Sequence, residues 1–319
     1  MEIKRCFFGT LICIFSSLFN SFLSSTQNKQ IYNEKGEKSK IPIFFQEWPR
    51  IFLMFLIPGL LSLGNKLSFY SPKTFLKIIL MSFFDYFGLF LLNKGFQDSN
   101  TFFVFLISQM IFPMSYMFSL VSSNTKSTGL NIKWCILIFV VMCILNFLNH
   151  LYFNRVELTK NRKIKKIAIK YIRSFLYTAL SNSSFLICNF IQEKMFDEGL
   201  STNNYFVLSA PILFFFCFVL EAKEIVKNLK NTSSIKKYYK ANTRIISFYS
   251  ASGFMFYYFG AKFIEKYGVI SFNMALMAFG SFTGLYRITE SKKSITNIYL
   301  ESFIYSSIII LNCTMLLVL

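Results

Sequence analysis

A chain of 319 residues that is 54% hydrophobic and 19% aromatic, with a mean hydropathy of +0.47, is too apolar for an ordinary soluble domain. Such domains give about 25% of their residues to charge; here the share is 15%. The net charge of +19 does not signal a nucleic-acid partner. Its lysines are scattered through short connections between apolar blocks rather than gathered on one folded face.

Those blocks are about 20 residues long, enough for a helix to cross a hydrocarbon core of about 30 Å. Ten follow one another, at roughly 6–24, 47–65, 74–93, 101–121, 133–150, 168–192, 203–220, 243–261, 268–287 and 297–318. The first, after the charged start MEIKR, also has the form of a signal peptide. Its long run and the missing small-x-small cleavage site favour a span. The longest connections, 25–46, 151–167 and 221–242, are polar and lysine-bearing and read as surface loops. The seven cysteines include no C-x-x-C pair and read as small hydrophobes.

Five spans lie on each side of the basic connection, which divides the chain into 1–150, 151–167 and 168–319. An odd number of spans per half sets the halves in opposite orientation. That is the inverted-repeat plan of many transporters, with the solute site near the midplane. The expected fold is therefore an all-α polytopic membrane protein, about ten transmembrane helices in two inverted five-helix repeats. Lysine and arginine concentrate in the connections after odd-numbered spans, which predicts that these face the cytosol and the N-terminus lies outside. Glycan on the sequon at Asn231 would reverse that orientation; the sequons at Asn182 and Asn312 fall within spans.

An ionisable group at bilayer depth costs at least about 2.5–3.5 kcal/mol, so it faces a cavity or a partner. Asp85, in SFFDYFGLF near the middle of the third span, is the first such group. It reads as a cavity carboxylate for a cation, a proton or a substrate amine, or as a structural hydrogen-bond acceptor. Gln109, Ser115 and Tyr116 sit in the fourth span, which Pro113 can kink. In the sixth span, Ser181 and Asn182 lie in a small polar cluster, and Asn189, seven residues on, shares a helical face with Asn182. Such residues either contact a solute or hydrogen-bond between helices. Tyr249 and Tyr257 offer pocket hydroxyls in the eighth span. Asn273 stands near the start of the ninth, where a helix N-terminus favours anionic groups. Gly280 and Gly284 form a G-x-x-x-G that signals close helix packing.

An enzyme is not expected. The single histidine, His150, has no metal-binding spacing, and neither a P-loop nor a nucleophile-elbow motif is present. No metal or cofactor is called for.

Four passages resemble the drug/metabolite transporter superfamily, within it the solute carrier 35 family, nearest its F branch and the chloroquine-resistance-type transporters. IPIFFQEWPRIFLMFL (41–56) is similar to that family's entry to its second helix. FFDYFGLFLLNKGFQDSNTFFVFLISQMIFPMSYMFSLV (83–121) is similar to its third and fourth helices, with an Asp near the front. FLICNFIQEKMFDEGLS (185–201) resembles the end of helix six, and YYFGAKFIEKYGVISFNMALMAFGSFTGLY (257–286) helices eight and nine. Ile57-Pro58-Gly59 departs from the Gly-Glu of the F branch, and the last helix lacks the usual glycines. The resemblance implies two inverted repeats, a central cavity, alternating access and both termini in the cytosol, the last against the charge distribution. It also implies an organelle membrane of Golgi, reticulum or vacuole type, or else the plasma membrane. The expected function is secondary transport of a small organic solute, nucleotide-sugar-like or drug/metabolite-like, with a proton or cation as coupling partner and a homodimer as one assembly. The alternative is an integral membrane protein that does not transport.

Overall fold

The computed structural model describes residues 2–28, 31–32, 38–39, 44–62, 71–99, 101–122, 133, 136–137, 139–141, 143–145, 164–229, 232–290 and 295–318. His150, the basic connection up to residue 163, half of the fifth span and Asn231 lie outside the described residues. Eleven longer helices are described: α1 (Glu2–Asn28), α2 (Phe44–Leu61), α3 (Pro72–Asp98), α4 (Thr101–Ser108), α5 (Ile111–Ser122), α6 (Ile164–Asp197), α7 (Thr202–Leu220), α8 (Ala222–Leu229), α9 (Thr232–Ala275), α10 (Phe279–Glu290) and α11 (Ile295–Val318). The described residues between 133 and 145 are also helical, and besides these come a short 3-10 turn, Leu276–Ala278, and one antiparallel pair, β1 (Ile31–Tyr32) and β2 (Lys38–Ser39).

The chain is an all-α membrane protein. Five helical stretches are long and apolar enough to cross a bilayer: Glu2–Leu23, Pro72–Asp98, Thr202–Leu220, Tyr238–Leu285 and Ile298–Leu317. Large apolar side chains such as Phe75, Leu80, Phe215, Phe303 and Ile310 are exposed on their outer faces, where lipid would cover them.

Local chemistry sets the helix ends. Ser71 caps α3 by accepting the Thr74 N–H at 3.3 Å, and Pro72 follows at the first helical position, where no N–H is needed. Between α6 and α7 the Leu200 N–H bonds back to the Met195 carbonyl at 3.0 Å, and Ser201 then caps α7. The stretch expected as the polar loop 221–242 differs: it holds the amphipathic helix α8 and the start of α9. In α8, Ile225 is buried while Lys223, Glu224 and Lys227 are exposed. That spacing is helical, and the charge count alone hid it.

The eighth and ninth expected spans are joined in α9 by a sharp reversal at Gly268 (φ 82°, ψ 167°). The Phe256 and Phe272 rings stack with centroids 6.2 Å apart. A continuous helix would separate those residues by about 24 Å, so the chain doubles back. The fourth expected span is also interrupted. The α-helical bonds of α4 end at Gln109, and α5 restarts at Ile111. Pro113 has no N–H to give the Gln109 carbonyl, which accounts for the break one turn earlier. The G-x-x-x-G reading holds: a Cβ on Gly280 would lie 3.2 Å from Phe105 Cβ, and one on Gly284 2.3 Å from the Tyr305 ring.

Only glycine adopts the backbone angles at 268 without strain, which for another residue costs about 1–3 kcal/mol. A Cβ there would also meet Glu193 Oε1 at 2.7 Å. Gly268→Ala is therefore expected to lower the unfolding midpoint of the purified protein by several degrees, whereas alanine at an exposed helical site such as Lys266 leaves it in place.

Candidate functional site

Two features meet at the middle of the bundle: a cavity and a buried group of charges. The charges begin in α2. Glu47 and Arg50 lie three residues apart, one helical turn, with side chains 1% and 1% exposed. Arg50 Nε donates to Glu47 Oε2 at 2.7 Å, and its Nη1 points to Met54 Sδ at 3.2 Å. Tyr249 of α9 donates its hydroxyl to Glu47 Oε1. The guanidinium carbon stands 4.3 Å from the centre of the Tyr257 ring, and Tyr257 donates its hydroxyl to Asp85 Oδ1 at 3.1 Å.

The sequence of α9 explains this convergence. Tyr249, Gly253 and Tyr257 recur every four residues and so share one helical face. Gly253 leaves room for the arginine stem: a Cβ there would lie 2.6 Å from Arg50 Cδ and 2.8 Å from the Phe19 ring. The group contains two carboxylates and one guanidinium. Arg50 stays protonated under any solution condition, and its ion-pair hydrogen bond goes to Glu47.

The cavity holds about 920 Å³ of space free of atoms, counting its open mouth. Asp85, Leu89 and Leu92 of α3 form one wall, with Asn182, Phe185, Asn189 and Gln192 of α6 beside them. Ser16, Phe19 and Asn20 come from α1, and Tyr205 from α7. Phe256, Tyr257, Gly260 and Phe272 come from the two arms of α9, Ser108 and Ile111 from the break between α4 and α5, and Cys188 from α6.

Of the residues singled out in the sequence, Asp85, Asn182, Asn189 and Tyr257 line this space. Asp85 lines the cavity and also accepts the interhelical hydrogen bond from Tyr257. Singled out in the sequence as the acid at depth, it is joined by the buried Glu47. The remainder lie off the cavity wall, some bonding between helices and Ser115 within its own. Gln109 donates to the Met277 carbonyl at 2.8 Å, Ser181 to the Gly88 carbonyl at 2.7 Å and Ser115 to the Phe112 carbonyl at 2.6 Å. Tyr249 serves Glu47, and Tyr116 is half-buried away from the cavity. Asn273 is not at a helix N-terminus. It is buried five residues beyond Gly268, where its Oδ1 accepts from Asn189 Nδ2 at 3.2 Å. The N-terminus after Gly268 is taken by Glu193, which accepts the Val269 N–H at 3.2 Å. Asn182 and Asn312 are buried, which keeps both of those sequons from solvent.

Sequence reasoning passed over Glu47 and Arg50 because they open an apolar block, where charges usually reach water. Lys170 and Arg173, in the same position at the start of the sixth span, do remain exposed. The distinguishing sign in the sequence is the opposite-charge pair one turn apart in EWPR.

Breaking one side of a buried ion pair leaves an unpaired charge and costs about 3–5 kcal/mol, whereas exposed pairs contribute about 0–1 kcal/mol. Arg50→Met should therefore sharply lower the unfolding midpoint, and the double variant Glu47→Gln/Arg50→Met should recover most of the loss. Breaking the more exposed Lys77–Glu198 pair with Lys77→Met should change it little.

Twenty-one solved chains match this fold. Among them is one described only as "Crystal structure of protein", 10% identical, with a TM-score of 0.60 over 98% of this chain and 97% of that chain. At that identity the likeness concerns the fold alone. No family model and no curated protein matches the sequence.

Proposed function

We propose that the protein is a secondary carrier, in which two inverted halves rock about the central cavity to move a small organic solute across a membrane. The observation that carries this reading is the pattern of packing between the halves. Assign α1, α2, α3 and α4 to the first half, and α6, α7, the first arm of α9 and the stretch through α10 to the second, in that order. Exchanging the halves turns the α1–α9 contact into α6–α3, the α3–α7 contact into α9–α2 and the α4–α6 contact into α10–α1, while α2–α7 maps onto itself. All of these contacts occur. A pseudo-two-fold arrangement of this kind lets either half tilt on the other without new interfaces.

The interruptions agree with the same reading. The break at Gln109 and the 3-10 turn at Leu276–Ala278 fall in the fourth and ninth expected spans, which correspond under the exchange. They meet through the hydrogen bond from Gln109 to Met277. Paired discontinuous helices of this type mark solute sites in transporters. The resemblance to the drug/metabolite transporter superfamily points the same way.

The purified chain in lipid vesicles should take up one class of labelled solute among an organic cation, a neutral nucleoside and a nucleotide sugar. Uptake should saturate and accelerate when the same solute is loaded inside. Asp85→Asn should slow it at least about tenfold, equivalent to about 1.4 kcal/mol. Absence of saturable, trans-stimulated uptake for every class would rule out the carrier.

A further inference from the structure

The end of the bundle farthest from Gly268 is edged with cations. There α9 opens with Lys236, Lys240 and Arg244, all exposed. They recur every four residues and so run along one side of the helix, about 12 Å from first to last. One turn further along that side stands Phe248, 61% exposed on the span itself. Helix α8, which packs on α9, adds Lys223 and Lys227, both exposed. Among the described residues none of the five makes an ion pair.

Apolar surface is interleaved with this charge. Val226 and Leu229 of α8, three residues apart, are 52% and 50% exposed on one face of that short helix. Lys223 and Lys227 flank the face, and Glu224, the acid exposed on α8, lies on its far side. On the same segment Glu221 turns inward and accepts the Phe44 N–H at 2.7 Å. An outward apolar stripe edged by lysines is the pattern of helices that lie in the plane of a bilayer surface. The position of α8 agrees, because the apolar run of α7 ends at the exposed Leu220, two residues before α8 begins. Trp48 of α2 marks the same level: its Nε1–H donates to the Tyr239 hydroxyl oxygen at 2.7 Å. Tyr239 stands between Lys236 and Lys240 in the chain, and tryptophan and tyrosine concentrate at the level of lipid headgroups.

We propose that this face of α8 and α9 binds the headgroups of acidic phospholipids in the surrounding bilayer. The five cations meet the phosphates, and Val226, Leu229 and Phe248 meet the acyl chains. Two features name that occupant. The charge is complementary to an anion, and the cations run directly into surface that lipid covers. A soluble acidic protein or a nucleic acid would leave those apolar side chains unmatched. The face lies outside the cavity, and its occupant is the same whether or not the protein moves a solute.

Trp48 reports on this face, and the chain has one other tryptophan, Trp134. The test uses the full chain carrying Trp134→Phe, reconstituted in phosphatidylcholine with rising fractions of brominated phosphatidylglycerol or brominated phosphatidylcholine. Bromine quenches the indole, so the two curves give the relative affinity of the lipids. Phosphatidylglycerol should bind at least about fivefold more tightly than phosphatidylcholine, and the ratio should fall toward one in about 1 M salt. Lys236→Gln/Lys240→Gln/Arg244→Gln should also bring the ratio close to one. Lys262→Gln/Lys266→Gln, at the other end of the same helical arm, should leave it unchanged. Equal quenching by the two lipids overturns the assignment, and so does a triple variant that keeps the preference. Inorganic phosphate at matched ionic strength should displace the acidic lipid no better than chloride. Selective displacement by phosphate would overturn the lipid and give the face to a soluble anion. Should the triple variant not fold, the ratio and its loss in salt with the native cations in place remain decisive.

Discussion

A guanidinium that cannot lose its proton, placed where almost no water reaches, constrains the whole centre of this protein. Arg50 is 1% exposed. Its charge holds the Glu47 carboxyl against it one turn away, its stem requires α9 to approach without a side chain at Gly253, and the Tyr257 ring lies over the cation. Tyr257 in turn directs its hydroxyl to Asp85. Helices α2, α3 and α9 are therefore registered by one chain of polar contacts. Lipid-facing leucine and phenylalanine can slide past each other at little energetic cost, but hydrogen-bonded charges in a low dielectric cannot.

The same kind of contact recurs through the bundle. The apolar contacts between α3 and α6, and between α1 and α9, are broad. Directional contacts add to them: Ser181 to Gly88 between α6 and α3, Gln109 to Met277 and Asn182 to Ile107 at the interrupted helices, and Lys77 to Glu198 near one end. Each fixes a depth that apolar packing alone would leave free.

Much of the fold is legible in the sequence because the bilayer constrains it so heavily. Blocks such as those within Pro72–Asp98 and Thr202–Leu220 are apolar over their whole length, and every backbone group within them must be paired internally. Helix is the answer that composition alone allows. Asp85 and the Asn182–Asn189 face are legible for the same reason, since polar groups at depth are costly and hence informative. Two things are not legible. The helical character of 222–229 is masked by charge, and the Glu47–Arg50 pair opens a span where solvated charges are ordinary. Asn273 was misjudged for a related reason, because its neighbourhood depends on where the reversal falls and not on its place in the apolar block.

Cys188 stands on the cavity wall beside Asn189, and it is a free thiol. Cys13 and Cys217 are buried elsewhere, outside the residues that line that space. That places a covalent handle inside the chamber: a small sulfur-reactive label entering from the mouth would compete for room with anything bound there. How quickly that one sulfur is alkylated becomes a direct gauge of whether the chamber is empty, filled or shut.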